Sequence, residues 1–172
     1  MIRITKVYNY LMSIKVFKTT HETDLPVNSS AATLDEMTRV LPEGYYTTFT
    51  TLAQGTRVMG LQAHLHRIYS PAIENGITPS INETALRKRL SRIVKENLPK
   101  ESRARLILTK EAGEIYIGIQ PFEPLPASVY SKGVHVITAE ITRKDPRIKD
   151  TAFILESNSQ RKLLNRDVFE IL

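Results

Sequence analysis

The sequence predicts an α+β fold: a small domain with an antiparallel sheet and two helices, followed by the beginning of a second, α/β domain. Between residues 44 and 120, two hairpin patterns flank two helical patterns, an arrangement typical of α+β domains. Three prolines within 121–126 then predict a stiff, extended connector. We therefore expect a small domain at 1–120, a linker at 121–133 and an incomplete second domain at 134–172.

The composition is that of an ordinary globular protein. The chain has 172 residues, of which 41% are hydrophobic and 24% are charged, enough for one good core or for a small domain and part of another. It has no cysteine, which excludes disulfides and thiolate chemistry. Charged residues interrupt the N-terminus, and no apolar run reaches signal-peptide or membrane length. We expect a cytoplasmic protein that does not bind membranes.

A net charge of +6 raises the alternative of nucleic-acid binding. Basic residues concentrate in 87–92 and in 143–149. In the first cluster the apolar residues recur at helical spacing, which places the basic ones on the solvated side. No aromatic residues lie among them, as a base-stacking surface would need. The charge therefore favours an enzyme with anionic ligands over a nucleic-acid-binding module.

The first half of the chain predicts strands before helices. Residues 1–40 predict strand pieces and loops, with a short helical turn at Leu34–Val40. Residues Tyr45–Leu52 are rich in β-branched and aromatic side chains, which favours a strand. A turn at Gln54–Thr56 leads to a return strand at Arg57–Leu61.

Two helices are expected next. The first runs over Gln62–Asn75 and ends at Gly76, a residue typical of helix C-termini. Pro71 lies inside it and is expected to kink or divide it. The second begins with a capping-box pattern at Ser80–Glu83 and runs to about Asn97.

The second half alternates strands with one helix. The expected elements are strands at Arg103–Thr109 and Ile115–Ile119, a strand at Val134–Ile141, a helix at Thr151 to about Asn165, and a strand at Val168–Leu172. One strand–helix–strand unit cannot cover its own apolar faces. We expect either a partner chain to complete it or, preferably, this chain to be the front part of a longer protein.

Lys149 lies on the short connection between the strand at Val134–Ile141 and the following helix. Ligands gather at the carboxyl ends of strands in open α/β sheets. Between Ile148 and Phe153, a lysine can be desolvated, lose its proton and act as an amine nucleophile. The alternative is an ordinary solvated surface charge.

Upstream, His64 and Arg67 share one face of the first predicted helix. The guanidinium of Arg67 suits a phosphate group. The neighbouring His66 does not point to the same side as His64, and no third ligand is apparent in the sequence. We therefore expect no metal site.

The order of these motifs resembles a known family. The motifs are Gly-Tyr-Tyr-Thr-Thr-Phe (44–49), His-Leu-x-Arg-Ile (64–68), Arg-x-Arg-Leu-Ile-Leu-Thr (103–109) and Arg-x-x-Pro-x-Ile-Lys (143–149). Together they resemble the class IV (fold-type IV) pyridoxal-phosphate enzymes: branched-chain aminotransferases, D-amino-acid aminotransferases and aminodeoxychorismate lyases. The resemblance covers about Leu41 to Leu172.

The resemblance implies a cofactor, pyridoxal 5′-phosphate, and a role for five residues. Lys149 matches the catalytic lysine, which forms a Schiff base with the cofactor, and Arg67 matches the arginine that binds its phosphate. Arg105 matches a strand arginine that helps to bind the substrate carboxylate or the lysine loop. Tyr46 and Phe49 lie on the strand that lines the substrate side. The family also implies a homodimer and a small-molecule amino donor and acceptor.

Two departures from the family pattern leave alternatives open. Phe153 stands where the family often has a tyrosine that hydrogen-bonds the cofactor, which favours a lyase-like or divergent member over a branched-chain aminotransferase. The glutamate that pairs with the pyridinium nitrogen lies beyond residue 172 in the family pattern, and neither Glu156 nor Glu170 has the right spacing. The alternative function is therefore a catalytically incomplete fragment that serves only as a folding or dimerisation module.

Overall fold

A computed structural model describes residues 14–52, 57–97, 101–134, 136–137, 145–164 and 170–171. These residues form an α+β fold, as the sequence predicts. The strands are β1 (Lys15–Thr19), β2 (Asp24–Pro26), β3 (Gly44–Leu52), β4 (Arg57–Val58), β5 (Ser102–Thr109), β6 (Ile115–Pro121), β7 (Val136–Ile137) and β8 (Glu170–Ile171). The helices are α1 (Leu34–Val40), α2 (Leu61–Glu74), α3 (Glu83–Asn97), α4 (Ala127–Lys132) and α5 (Thr151–Leu164).

Six strands form an antiparallel sheet in the order β2-β1-β6-β5-β3-β4. The long central strands β3, β5 and β6 pair over most of their length. Strand β4 pairs with β3 only at Thr51 and Leu52, so the edge of β3 around Gly44–Tyr46 is not covered by β4. That edge becomes important for the candidate site.

The two faces of this sheet bury two separate apolar clusters. Because side chains alternate along a strand, Tyr45 and Phe49 point to one face and Tyr46 to the other. The first face packs against α2 and α3 through Leu65, Ile68, Leu86, Leu90 and Ile93. The second face packs against α1, with Met37 fully buried. A side chain at Gly118 would collide with Met37, so glycine lets α1 lie close to β6.

A second, two-stranded sheet pairs β7 with β8 in parallel, and α5 connects them in sequence. Ile148, before α5, packs against the first cluster, and Ile154 within α5 packs against the second. The C-terminal segment therefore contacts both faces of the main sheet. The division at 121–133 stays a prediction, and the short helix α4 within that range was not expected.

Several sequence predictions need correction at their boundaries. The return strand expected over Arg57–Leu61 is only two residues long, because α2 already begins at Leu61. Pro71 does not divide α2. The cap of α3 is Asn82, whose side chain accepts from the N–H of Ala85 at 2.9 Å. The predicted turn at 54–56, the strand residues 138–141 and the basic residues 143 and 144 lie outside the described residues.

Candidate functional site

The segment that carries Lys149 extends the sheet along the exposed edge of β3. The N–H of Tyr46 donates to the carbonyl of Lys149 at 2.8 Å, and Tyr45 forms an antiparallel bridge with Asp150. The N–H of Gly44 donates to the hydroxyl of Thr151 at 2.9 Å. Backbone donors at a sheet edge need partners, and here the Lys149 segment provides them. The position of Lys149 is therefore fixed by β3.

Lys110, which directly follows β5, also binds the Lys149 segment. Its ammonium group forms ion pairs with Asp150 and with Glu43, and lies 5.7 Å from the centroid of the Tyr45 ring. Burial alone would lower the pKa of Lys110, but the hydrogen bonds to Asp150 and Glu43 outweigh it and raise the pKa. Lys110 therefore stays charged and joins three parts of the chain.

The amine of Lys149 lies on the ring of Tyr46. Its Nζ atom is 5.9 Å from the ring centroid, and the Cζ atom of Arg105 is 5.6 Å from the same centroid. The Tyr46 side chain is buried. A buried ring close to two cations gives a cation–π contact with each, so Tyr46 connects Lys149 to Arg105.

Arg105 is a buried arginine, 5% exposed, with partners on two elements. Its Nε donates to Thr48 at 2.9 Å. Its Nη1 donates to the carbonyl of Leu34, to Asp35 and to Thr38, at 2.8, 2.9 and 2.7 Å. Asp35 thus partly neutralises the guanidinium, and Arg105 ties α1 to the central strands beneath Tyr46.

His64 lies on the face of β3 opposite to Tyr46, against Thr47 and Phe49. Its Nδ1 atom is 2.7 Å from the hydroxyl of Thr47, and its ring centroid is 5.2 Å from that of Phe49. Burial lowers the pKa of His64, and the charges of Arg67 and Lys149 lower it further.

A cleft of about 110 Å³ opens between α2 and the segment before Lys149. It is lined by His66, Arg67, Ser70, Pro71, Glu74, Arg147 and Ile148. Within it, Arg147 is held by Asp145 through two side-chain hydrogen bonds of 3.1 and 2.7 Å. Arg67 therefore shares one cleft with the residues directly before Lys149.

The structure brings together four of the five residues predicted for the site. Lys149, Tyr46 and Arg105 form one contact chain, and Arg67 lines a cleft together with Arg147 and Ile148, the residues directly before Lys149. Phe49 lies on the opposite face of β3 from Tyr46, in the first apolar cluster, where it contacts His64. The two strand residues therefore do not line a common surface, although the roles of all five stay predictions.

Two residues near Lys149 were not predicted from the sequence to belong to the site. Thr47 looks like one of several strand threonines, and Lys110 follows a strand as an ordinary surface lysine would. Only the register of β3 against β5 and against the Lys149 segment brings them to the site.

Among the described residues, no group of three or more histidine, aspartate or glutamate side chains is arranged to hold a metal ion. None of the described helices has the length and apolarity needed to cross a bilayer.

The fold is that of known fold-type IV enzymes. A proposed branched-chain amino acid aminotransferase from Thermotoga maritima superposes with a TM-score of 0.63 at 17% identity, over 84% of this chain and 53% of that one. A hypothetical aminotransferase from Mycobacterium tuberculosis gives 0.64 at 16%, over 92% and 61%. A proposed 4-amino-4-deoxychorismate lyase gives 0.55 at 23%, over 80% and 57%.

These likenesses establish the fold, and the chain spans between 53% and 61% of the lengths of these structures. Structures of the M. tuberculosis protein include a PLP-bound form and a form with α-ketoglutarate and PMP. No family model matches the sequence, and no curated protein matches it either.

Proposed function

We propose that this chain is part of a pyridoxal-phosphate-dependent enzyme of fold type IV, an aminotransferase or an aminodeoxychorismate-lyase-like enzyme. The observation that supports this best is the placement of Lys149 next to a cleft that contains Arg67. A phosphate and an aldehyde at the two ends of one small molecule need a guanidinium and an amine at neighbouring positions. The fold, which is shared with enzymes of this type, supports the same conclusion.

The residues present fit the phosphate end and the aldehyde end of the cofactor. Arg67 provides a fork of N–H donors for a phosphate, and Arg147 adds positive charge that Asp145 and Glu74 partly offset. Lys149 provides the amine for the covalent attachment of the aldehyde carbon. Once bound, pyridoxal phosphate acts as an electron sink for carbanion chemistry at the substrate.

The chain's own residues position the amine. Lys149 must be neutral to act as a nucleophile or base. Tyr46 holds the amine in place, and Arg105 supports Tyr46 from below. We further propose that Arg105 helps in this way to hold the lysine loop, that the substrate is a small amino compound, and that the enzyme is a cytoplasmic homodimer.

The alternative function is a folding or dimerisation module without catalysis. The observation that favours it is that none of the described residues is nominated to pair with the pyridinium nitrogen. The two functions differ in one measurable property, which is covalent capture of the cofactor at Lys149.

The experiment is a titration of the 172-residue protein with pyridoxal phosphate, followed by borohydride reduction and peptide mapping. We expect a new absorbance band that borohydride removes, with the reduced adduct on Lys149. Lys149→Ala should abolish the adduct, whereas Lys88→Ala, at an exposed position on α3, should leave it unchanged. A folded protein with no adduct, or with adducts spread evenly over its lysines, would contradict the enzyme proposal and support the module.

A further inference from the structure

We propose that a second cleft, on the face of the main sheet that carries α1, binds a free α-amino acid with an apolar side chain. The cleft measures about 380 Å³, and its lining includes Thr33, Arg103, Gln120, Pro121, Phe122 and Glu123. That volume lies in the range of small-molecule sites. The lining contains none of the residues assigned to the proposed function, so the inference goes beyond that function and does not depend on it.

The cleft is separate from the Lys149 amine, although both lie on the same face of the sheet. Arg103 is two residues before Arg105 on β5 and therefore points to the same side. Arg103 pairs with Thr50 of β3, and Tyr46 lies four residues earlier on that strand. Four residues of a strand span about 13 Å, and Arg105, buried against α1, lies between. The two sites are therefore distinct.

One side of the cleft offers hydrogen-bond donors to a carboxylate. Arg103 and Gln120 lie directly opposite each other on β5 and β6, and Arg103 is exposed. The side-chain carbonyl of Gln120 accepts from the N–H of Leu34 at 3.1 Å, which orients the amide and leaves its NH₂ group for another acceptor. The Thr33 hydroxyl accepts from the N–H of Glu36 at 3.1 Å, so its own proton can be donated elsewhere. A guanidinium, an amide and a hydroxyl are thus available to one carboxylate.

Glu123 supplies the opposite charge in the same cleft. It is exposed, and in the described part of the chain no ion pair joins it to Arg103, although both residues line the cleft. Two opposite charges that line one cleft without pairing suit a ligand that carries both charges. An α-amino acid has its carboxylate and its ammonium group on one carbon, so the carboxylate can bind Arg103 while the ammonium binds Glu123. Glu123 would repel a second carboxylate on the ligand.

The apolar part of the cleft favours a ligand with an apolar side chain. The Phe122 side chain is 38% exposed, and Pro121 lies beside it. The backbone of Phe122 is held because its N–H donates to the carbonyl of Glu101 at 3.0 Å. An exposed aromatic ring gains burial and ring contacts when an apolar or aromatic group packs on it. The chemistry of the lining therefore fits an amino acid such as phenylalanine.

The experiment is a titration of the ¹⁵N-labelled protein, without cofactor, with L-phenylalanine, followed by NMR. The reporter is the side-chain amide resonance of Gln120, assigned by its loss in Gln120→Glu. We expect a saturable shift of this resonance. The analogue 3-phenylpropanoate lacks the ammonium group, and 2-phenylethylamine lacks the carboxylate. Each should therefore bind about fivefold more weakly than L-phenylalanine, which is the upper end for a partly exposed ion pair.

Variants of the two charged residues test the site from the side of the protein. Arg103→Gln and Glu123→Gln should each weaken binding of L-phenylalanine by about fivefold, for the same reason. Both positions are exposed, so we expect both variants to fold. Arg57→Gln on β4 and Glu111→Gln in the turn after β5, which are also exposed, should leave binding unchanged.

Three results would overturn the inference. They are the lack of a saturable shift of the Gln120 amide, equal binding of L-phenylalanine and its two analogues, and unchanged binding in Arg103→Gln and Glu123→Gln. Because the titration contains no cofactor and the cleft does not include Lys149, such a result would leave the borohydride experiment undecided. Failure of cofactor capture would likewise leave this site standing.

Discussion

Tyr46 contacts Lys149 through both its backbone and its ring. The N–H of Tyr46 donates to the Lys149 carbonyl at 2.8 Å, and the Lys149 Nζ atom lies 5.9 Å from the Tyr46 ring centroid. Tyr46 itself belongs to the longest strand of the sheet. The backbone and the side-chain amine of Lys149 are therefore both held by one residue of a long, well-paired strand, which fixes the position of the amine.

Two replacements of Tyr46 should separate the contribution of its aromatic ring to stability from the contribution of its volume. Tyr46→Leu keeps a large apolar side chain but removes the π face next to Lys149 and Arg105, while Tyr46→Phe keeps that face. We expect Tyr46→Leu to lower the free energy of unfolding by about 1 kcal/mol more than Tyr46→Phe, the typical worth of such cation contacts. Urea denaturation followed by circular dichroism measures the difference. Equal stabilities of the two variants would show that the cation contacts contribute nothing.

Arg105 should tolerate no conservative replacement. A lysine has a single nitrogen in place of the separate Nε and Nη1 donors, so it cannot reach Thr48 and the acceptors on α1 together. Of these acceptors, the Leu34 carbonyl and the Thr38 hydroxyl are buried. We expect Arg105→Lys to cost about 2–4 kcal/mol of unfolding free energy. Arg103→Lys, two residues earlier on the same strand and exposed, should change it by less than about 0.5 kcal/mol. Comparable losses in both variants would contradict the role given to the Arg105 contacts.

The elements with a strong local pattern were predictable from the sequence. Strand β3, helix α2 and helix α5 begin within one residue of the predicted positions, because alternation and helical spacing are set by neighbours along the chain. The α1 boundaries are as predicted, with Thr33 accepting from Glu36 as the cap. The cap of α3 was misplaced because Ser80 and Asn82 both have side chains suited to capping, and only tertiary contacts choose between them.

The candidate site was predictable in its residues but not in its arrangement. Lys149 and Arg67 stand out by their position relative to a strand and a helix. Tyr46 and Phe49 point to opposite faces because they are three residues apart on β3, and side chains alternate along a strand. The family resemblance assigned both residues to the substrate side without regard to this alternation. The contributions of Thr47 and Lys110 depend on strand pairing between distant segments, which one sequence does not specify.

Lys110 should hold the Lys149 segment against the sheet. Lys110→Met removes the ion pairs with Asp150 and Glu43 but keeps a long apolar side chain. Partly exposed ion pairs contribute up to about 1 kcal/mol, so local opening should become up to roughly fivefold more frequent. The measurement is hydrogen exchange of the Tyr46 amide, which donates to Lys149.

Lys18→Met provides the control for this exchange experiment. Lys18 is similarly exposed and lies on β1, where it pairs with Glu114, the residue directly before β6. Its removal should leave exchange of the Tyr46 amide unchanged. If exchange of the Tyr46 amide were accelerated equally in both variants, the cause would be a global loss of stability and not the loss of the ion pair between Lys110 and Asp150.

His64 should make the stability of the protein depend on pH below 6.5. Its pKa in the folded protein is lowered from 6.5 by burial and by Arg67 and Lys149, so the unfolded chain binds the proton more readily. The contribution of His64 is fully present above pH 6.5 and is lost as the pH falls through the folded pKa. Urea denaturation at pH 7.5 and at pH 5.0 should show a smaller pH-dependent loss in His64→Gln than in the wild type. His66→Gln serves as the matched control, and an equal loss in the wild type and in His64→Gln would contradict the cation-facing environment assigned to this imidazole.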